Sequence, residues 1–297
     1  MGRVSLQHPV MNASGILAKD PDGALELLKA GVSAVVTKSF TREPREGHPT
    51  PIIVPLGYGY INSVGLSNPG LKGIRPIVET VKRRGKPVIV SIAAADVKEA
   101  EELAEEAVGA GADAIEVNLS CPHSRGRGLE VAYDEKLSAA IVEAVSSVAA
   151  GKTGVWVKLG LLDRLPDRVL GFIERGADAV VLINTVRAMV IDVYAKRPVL
   201  GGLVGGLSGR AVHPIAVRSV YDVYCETGVE IIGVGGVYTW RDAVELMLAG
   251  ARAVQVGTAL FDKGLHVVSE IVEGLGEYMR SEDFKSVTDL VGAACRR

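Results

Sequence analysis

Four side chains able to do chemistry occur within six residues: Asn118, Ser120, Cys121 and His123. They directly follow the apolar run of residues 113–117, so we predict that they lie at the end of a buried strand. Pro122 ends that strand, because proline lacks a backbone N–H group and has a fixed φ. A thiol at a strand end can be reached by a ligand, which makes Cys121 a candidate reactive group. The alternative is a small buried side chain without a chemical role.

Two lysines, Lys38 and Lys158, each end another apolar run. An ammonium group there is costly unless an anionic group meets it. A salt bridge to a neighbouring carboxylate would explain one such lysine, whereas two at the same end of a sheet indicate an extended anionic ligand. Because the chain has Gly235 and Gly236 after one late run and Gly257 after the next, backbone N–H groups are exposed there. Such groups hold phosphate, although turn geometry or tight helix packing would also explain the glycines.

Several other kinds of chemistry lack their motifs. The five histidines show no metal-ligand spacing, so no metal site is predicted. The glycines lack the G-x-G-x-x-G frame of nicotinamide dinucleotide binding, and no G-x-S-x-G elbow occurs. A net charge of -2 argues against a nucleic-acid partner or an acidic membrane surface. The three cysteines are far apart and predict neither a disulfide framework nor a metal pair, which favours a cytoplasmic location.

The elements that position these groups are strands that alternate with helices. Helical patterns cover residues 97–109, 134–149, 167–174, 215–226 and 240–248. Strand candidates lie at residues 9–12, 87–92, 155–159 and 230–234, and at the ends of four similar units, residues 30–37, 110–117, 175–182 and 249–256. In each unit a glycine ends a helix and a short β-branched run follows.

This alternation predicts an α/β fold with a parallel sheet. Eight strands favour a (β/α)8 TIM barrel over an open doubly wound sheet. The composition agrees, because 48% of residues are hydrophobic but only 5% are aromatic, as in sheets covered on both faces. We predict a single domain over residues 1–297. Two glycine-rich segments, residues 40–68 and 200–212, are expected to be long loops over the carboxyl-end face.

The motifs together resemble the dihydroorotate dehydrogenases, FMN-dependent (β/α)8 barrels of pyrimidine biosynthesis. The resemblance covers nearly the whole chain, through residues 12–15, 38–39, 62–68, 118–121, 157–159, 183–185, 205–209, 233–236 and 256–258. A cysteine at position 121 resembles the class 1, cytosolic members, whereas class 2 members carry serine at that position. Class 2 members also have an additional amino-terminal segment, which we do not expect here. Residues 183–185 and 205–209 resemble the 1B type.

The resemblance implies a role for each matching residue. FMN would be held by Ala13, Ser14, Gly15, Lys38, Ser39, Ser91, Asn118, Lys158, Ile183, Gly209, Gly235, Gly236, Gly257 and Thr258. The pyrimidine would meet Lys38, Asn62, Ser63, Val64, Gly65, Leu66, Asn118, His123, Asn184 and Thr185. Cys121 would remove the C5 proton while FMN takes hydride from C6, and Lys158 would stabilise the reduced flavin. The 1B type also implies a second subunit with FAD and an iron–sulfur cluster, in a heterotetramer, with a homodimer as the other expected assembly.

Two positions depart from the family pattern, which usually has asparagine where this chain has Ser91 and His123. Histidine there is similar to the FMN domain of dihydropyrimidine dehydrogenase, so uracil or thymine chemistry is the alternative function. The long loops and residues 197–200 favour dihydroorotate. Two further alternatives are an FMN-free sugar-phosphate isomerase or lyase, and a catalytically silent barrel that serves a partner as a scaffold.

Overall fold

The computed structural model describes residues 2–120 and 129–295. In chain order, its strands are β1 (Val10–Asn12), β2 (Val35–Val36), β3 (Ile53–Leu56), β4 (Gly59–Asn62), β5 (Val88–Ile92), β6 (Ala114–Asn118), β7 (Gly154–Leu159), β8 (Ala179–Leu182), β9 (Val186–Ala188), β10 (Ile191–Asp192), β11 (Arg197–Pro198), β12 (Gly205–Ser208), β13 (Ile231–Val234) and β14 (Ala251–Val256). The α-helices are α1 (Pro21–Lys29), α2 (Ile74–Lys82), α3 (Val97–Ala110), α4 (Leu129–Tyr133), α5 (Glu135–Ala149), α6 (Leu165–Ile173), α7 (His213–Thr227), α8 (Trp240–Ala249), α9 (Thr258–Asp262), α10 (Val267–Ser281) and α11 (Val287–Leu290).

Eight parallel strands form a barrel in the order β1-β14-β13-β8-β7-β6-β5-β2. The seam between β1 and β2 is closed by a side chain. Asn12 donates from Nδ2 to the carbonyl oxygen of Val36 over 2.7 Å and accepts the backbone N–H of Val36 over 2.9 Å. The predicted (β/α)8 barrel is therefore confirmed, and each of the eight strand candidates overlaps a barrel strand.

The helices begin and end where local chemistry dictates. Asp96 caps α3 by accepting the backbone N–H of Glu99, and Gly111 ends it with a left-handed φ of 91°. The five predicted helical patterns correspond to α3, α5, α6, α7 and α8, each bound lying within two residues of the prediction. Helical periodicity thus locates these helices in the sequence, including α6 and α7, which have no side-chain N-cap.

Two aliphatic cores fix the barrel. One lies inside it and includes Met11, Ile89, Trp156 and Ile232, all fully buried. The other lies between the sheet and the surrounding helices and consists mainly of Val, Ile, Leu and Ala. Parallel strands buried on both faces need such residues, as the composition predicted. The polar strand ends are left to one face of the barrel.

A second sheet covers part of that face. Its antiparallel order is β3-β4-β12-β9, and β10 pairs with β11 beside it. The prediction that residues 40–68 and 200–212 are loops is therefore wrong in part, because both contain strands of this sheet. Short strands that contain glycine show no clear alternation of apolar and polar residues. Gly205 is needed there, since a Cβ would lie 2.8 Å from the carbonyl oxygen of Asn62.

The prediction that the cysteines form no disulfide is also wrong. Cys225 in α7 is bonded to Cys295, which lies in a 3₁₀ helix after α11, and their Cα atoms are 5.6 Å apart. A separation of 70 residues hides such a pair in the sequence, and only the fold brings the two segments together. Within the described ranges, no helix is long and apolar enough to cross a membrane.

Candidate active site

A pocket lies at the carboxyl ends of the barrel strands. Nineteen of the predicted site residues line it: Ala13, Ser14, Gly15, Lys38, Ser39, Asn62, Val64, Gly65, Leu66, Asn118, Lys158, Ile183, Asn184, Thr185, Gly209, Gly235, Gly236, Gly257 and Thr258. Parallel strands direct their ends to one face, which explains why segments far apart in sequence meet there. The roles of these residues toward a ligand stay predictions.

Four other predicted site residues are placed differently. Ser63 is fully buried behind the pocket lining, where its Oγ lies 2.8 Å from Nδ1 of His48. Ser91 is also fully buried and hydrogen-bonds to Ser39 and Glu116. Cys121 and His123 lie outside the described residues.

Lys158 lines the pocket and is held from below by a carboxylate. Its Nζ lies 3.5 Å from Oε1 of Glu116 and donates to Oε1 of Gln255 over 3.2 Å. Lys158 is 3% exposed and Glu116 is fully buried. The salt-bridge explanation for a lysine at a strand end therefore applies to Lys158, although its side chain also reaches the pocket.

Neither partner of Lys158 was among the predicted site residues. Glu116 and Gln255 each lie inside an apolar strand and are fully buried. A charged or amide side chain within an apolar strand indicates a buried polar network as strongly as Lys158 does. That pattern was visible in the sequence and could have identified them.

Lys38 is in a different electrostatic environment. Burial, and secondarily the charge of Lys19, lower the pKa of Lys38. No ion pair of Lys38 is found in the part of the chain that the structure describes. Since a partly buried ammonium without such an ion pair favours an anion nearby, Lys38 is a suitable partner for a negatively charged ligand.

The glycines at the last strand ends leave backbone exposed to the pocket. Gly236 has φ 66°, and a Cβ there would lie 2.9 Å from the carbonyl oxygen of Gly209 and 3.0 Å from the backbone nitrogen of His213. His213 fixes this turn, because its Nδ1 lies 2.8 Å from the carbonyl oxygen of Gly235 and its Nε2 lies 3.2 Å from Glu245. Bare backbone of this kind fits a phosphate group.

The rim of the pocket contains aromatic residues that were not predicted. Tyr60 and Phe261 pack edge to face with ring centroids 5.5 Å apart. The Tyr60 hydroxyl donates to Asp262 over 2.7 Å, and this hydrogen bond raises the pKa of Tyr60. The unpredicted lining residues are Ile16, Ile53, Tyr60, Ser208, Val212, Val234 and Phe261. Ser208 and Val234 lie within the motifs that resemble the family, whereas the other five are apolar or aromatic residues outside any motif, so nothing in the sequence distinguished those five.

The polar groups of the described pocket lining are mostly uncharged. Among the described residues, no three His, Cys, Asp or Glu side chains group closely enough to hold a metal ion. The pocket instead offers amides, hydroxyls, two lysines and bare backbone. These are groups that recognise an anionic, heterocyclic ligand.

Comparison with known proteins agrees with the arrangement of the site. The family model described as dihydroorotate dehydrogenase matches residues 2–279. The chain belongs to the dihydroorotate dehydrogenase family. Dihydroorotate dehydrogenases are flavin-dependent oxidoreductases. The bare backbone at Gly235, Gly236 and Gly257, called the glycine cradle below, fits a phosphate-bearing flavin together with the two lysines. The family predicted from the ordered motifs is confirmed.

Relatives within the family differ in the electron acceptor that their names give. An Aeropyrum pernix protein, provisionally named dihydroorotate dehydrogenase A (fumarate), is 49% identical over 98% of this chain and 95% of its own length. A Thermoplasma acidophilum protein, named as the catalytic subunit of dihydroorotate dehydrogenase B (NAD(+)), is 45% identical over 99% of this chain and 97% of its own length.

A solved structure shows that the family likeness extends to the fold. It is the crystal structure of a dihydroorotate dehydrogenase from Eimeria tenella in complex with ferulenol. The two chains are 26% identical, with a TM-score of 0.81 over 97% of this chain and 86% of the other. The barrel and its covering of helices are therefore those of the family.

Proposed function

We propose that this protein catalyses the FMN-dependent oxidation of dihydroorotate to orotate in de novo pyrimidine biosynthesis. The observation that carries this proposal is one pocket that combines the glycine cradle with Lys38, Lys158 and three asparagines, in a chain of this family. The proposal treats residues 1–297 as one FMN-binding barrel domain.

The cofactor site follows from the pocket lining. Backbone N–H groups near Gly235, Gly236 and Gly257 would hold the phosphate, and Ala13, Ser14 and Ser39 would lie along the rest of the cofactor. When bound, the flavin supplies a two-electron acceptor for C6 of the substrate. Lys158 provides a fixed cation that stabilises negative charge on the cofactor without reorganisation.

The substrate side of the pocket matches a ring with amide and imide groups. Asn62 is oriented by donating from Nδ2 to the carbonyl oxygen of Gly206 over 3.1 Å. Asn118 and Asn184 also reach the pocket, and Lys38 offers positive charge to the ring carboxylate.

The same proposal gives Cys121 the role of base that removes the C5 proton. A free thiol has a pKa of about 8.5, so only a small fraction is thiolate near neutral pH. The surroundings of Cys121 must therefore favour its thiolate form if it is to act efficiently as a base. Cys121 itself lies outside the described ranges, so this role depends on the family resemblance.

The visible absorption spectrum tests the proposed function directly. We expect a yellow protein whose flavin bands bleach when dihydroorotate is added without oxygen. A yellow protein that does not bleach would keep the flavin and exclude dihydroorotate as the substrate. A protein that stays colourless after FMN is added would contradict the proposal as a whole.

One sequence feature favours a second candidate function, an FMN-dependent dihydropyrimidine dehydrogenase activity. His123 stands where the family usually has asparagine. Ser91, the other departure, contacts Ser39 and Glu116 and does not line the pocket, so it favours neither candidate substrate over the other. Anaerobic mixing with uracil or thymine under reducing conditions distinguishes the two functions, because only the second candidate reduces them.

We further propose a cytoplasmic protein of the 1B type, which passes electrons to a subunit with FAD and an iron–sulfur cluster. The B-type relatives, whose names call them catalytic subunits, support this proposal, whereas the Aeropyrum relative is named for fumarate. Rates with fumarate alone, and with NAD(+) in the presence of the purified partner, decide between the two types.

A further inference from the structure

A buried carboxylate, Glu116, lies beneath the pocket and contacts only donors among the described side chains. It accepts a hydrogen bond from Ser91 Oγ over 3.0 Å and another from Gln255 Nε2 over 2.9 Å. Lys158 Nζ lies 3.5 Å away. These three partners come from β5, β14 and β7, so Glu116 joins four barrel strands at one point.

Two backbone N–H groups determine how the pocket asparagines are oriented. The Ser120 backbone donates to Oδ1 of Asn118 over 3.1 Å, and the Thr185 backbone donates to Oδ1 of Asn184 over 2.8 Å. A backbone N–H can only donate, which identifies the oxygen of each amide. The Nδ2 atoms must then donate, from Asn118 to Ser39 and from Asn184 to Ser120, both over 2.8 Å.

The serine hydroxyls have one hydrogen each, so their roles follow. Ser91 gives its hydrogen to Glu116, because a carboxylate only accepts. Ser91 must therefore accept from Ser39, over 2.9 Å. Ser39 can do this because it accepts from Asn118. Ser120 likewise donates to Oδ1 of Asn118 over 2.8 Å and accepts from Asn184.

All donations in this chain of side chains therefore run in one direction, from Asn184 to Glu116. Each asparagine amide keeps one Nδ2 hydrogen that no described residue uses, and both asparagines line the pocket. The pocket consequently presents N–H donors, which suit the carbonyl and carboxylate oxygens of the pyrimidine. An amide in place of Glu116 could donate to Ser91 and remove the fixed direction.

We propose that Glu116 is a positioning residue of the dihydroorotate site. It holds the Lys158 ammonium at the cofactor side and, through Ser91 and Ser39, holds Asn118 as a donor at the substrate side. The proposal has two parts: the effect on Asn118 is called the substrate arm, and the effect on Lys158 is called the cofactor arm. Only the substrate arm rests on the proposed function. The cofactor arm depends on flavin binding alone.

The test compares Glu116→Gln with Ser91→Ala and with a matched control, Glu99→Gln. Glu99 is 1% exposed and accepts the backbone N–H groups of Arg42 and Ala95, away from the pocket lining. Its replacement removes an equally buried carboxylate and so reproduces any general loss of stability. Circular dichroism and thermal unfolding of each apoprotein establish that it is folded.

Two spectroscopic titrations of the flavin-loaded proteins supply the measurements. Sulfite, whose adduct places negative charge on the flavin, reports the cation held by Glu116. Orotate binding, followed by the flavin absorption bands, reports the asparagine donors. We expect Glu116→Gln to weaken both affinities at least about tenfold, equivalent to about 1.4 kcal/mol, and Ser91→Ala to weaken orotate binding. Glu99→Gln should stay within about twofold of the unchanged protein.

Folded Glu116→Gln with both affinities within about twofold of the original protein would overturn the proposal. Should Glu116→Gln fail to fold, Ser91→Ala decides alone, and unchanged orotate binding by it would overturn the substrate arm. If the original protein binds no orotate, the proposed function fails, and the sulfite titration still decides whether Glu116 controls the Lys158 cation.

Discussion

Lys38 and Lys158 show how position changes the chemistry of one residue type. Glu116 lies 3.5 Å from Lys158, so the charge of Lys158 is compensated within the protein. Burial and Lys19 instead lower the pKa of Lys38. Lys158 is thus a fixed cation, whereas Lys38 is stabilised as a cation by an incoming anion.

Orotate binding should therefore depend on pH through Lys38. Because the pKa of Lys38 is lowered from 10.5 in the free protein, an anionic ligand binds best when Lys38 is protonated. The affinity for orotate should fall as the pH rises through the lowered pKa of Lys38, which lies below 10.5. The ligand-free protein should gain stability over the same pH range, because the unfolded chain still binds a proton there that the folded chain has lost. Titrations across this range check the prediction. In Lys38→Met the pH dependence that comes from Lys38 should disappear, and only the dependence that comes from titration of orotate itself should remain. An identical pH profile in both proteins would contradict the prediction.

Replacement of the proposed base should separate chemistry from cofactor binding. We expect Cys121→Ala to lower turnover of dihydroorotate by about 10²–10⁴-fold, the usual contribution of a general base. The flavin should stay bound, because no predicted cofactor contact is removed. Steady-state turnover and the flavin spectrum of the same sample check this. Undiminished turnover would remove Cys121 from the mechanism.

At the scale of elements, the turn after β13 requires glycine at position 236 for close approach as well as for conformation. Gly236→Ala places a Cβ against the backbone of Gly209 and His213, at a φ of 66°. We expect flavin binding to weaken by about 1–3 kcal/mol, because relief of these contacts displaces backbone N–H groups that would hydrogen-bond to the phosphate. Equilibrium titration of the apoprotein with FMN provides the measurement.

Gly85→Ala is the matched control for that experiment. Gly85 has a nearly equal φ of 67°, and a Cβ there would meet nothing within 4 Å. It should lose a similar amount of stability through its backbone but keep its affinity for FMN. Equal affinity losses in the two variants would show that the cradle geometry is unimportant.

The sequence predicts elements whose pattern is local and misses those whose pattern is not. Barrel strands and helices follow from apolar runs, caps and glycine ends, so the barrel was predictable. The antiparallel sheet over the pocket was missed because its strands, β3, β4, β9 and β12, have only three or four residues each. Glu116 and Gln255 could have been recognised as polar residues within apolar strands, but their contact with Ser91 and Lys158 depends on the fold, because the four residues lie on β5, β6, β7 and β14.

At the scale of the whole molecule, one covalent bond constrains the last part of the barrel. The disulfide between Cys225 and Cys295 encloses β13, α8, β14, α9, α10 and α11. These elements include the glycine turns at Gly235 and Gly257. The bond therefore joins the end of the chain to the half of the barrel that carries the predicted phosphate site.

Reduction of this disulfide should destabilise the protein without changing the pocket directly. Closing a loop with a separation of 70 residues lowers the entropy of the unfolded chain, which corresponds to about 4 kcal/mol in the loop-closure model. We expect the free energy of unfolding to fall by that order in urea titrations with reductant. A Cys225→Ala/Cys295→Ala variant should have the same free energy of unfolding as the reduced protein, and reductant should not change it. Three free thiols in the denatured, unreduced protein would show that the bond is absent, and would restore the expectation of unpaired cysteines that a reducing cytoplasm favours.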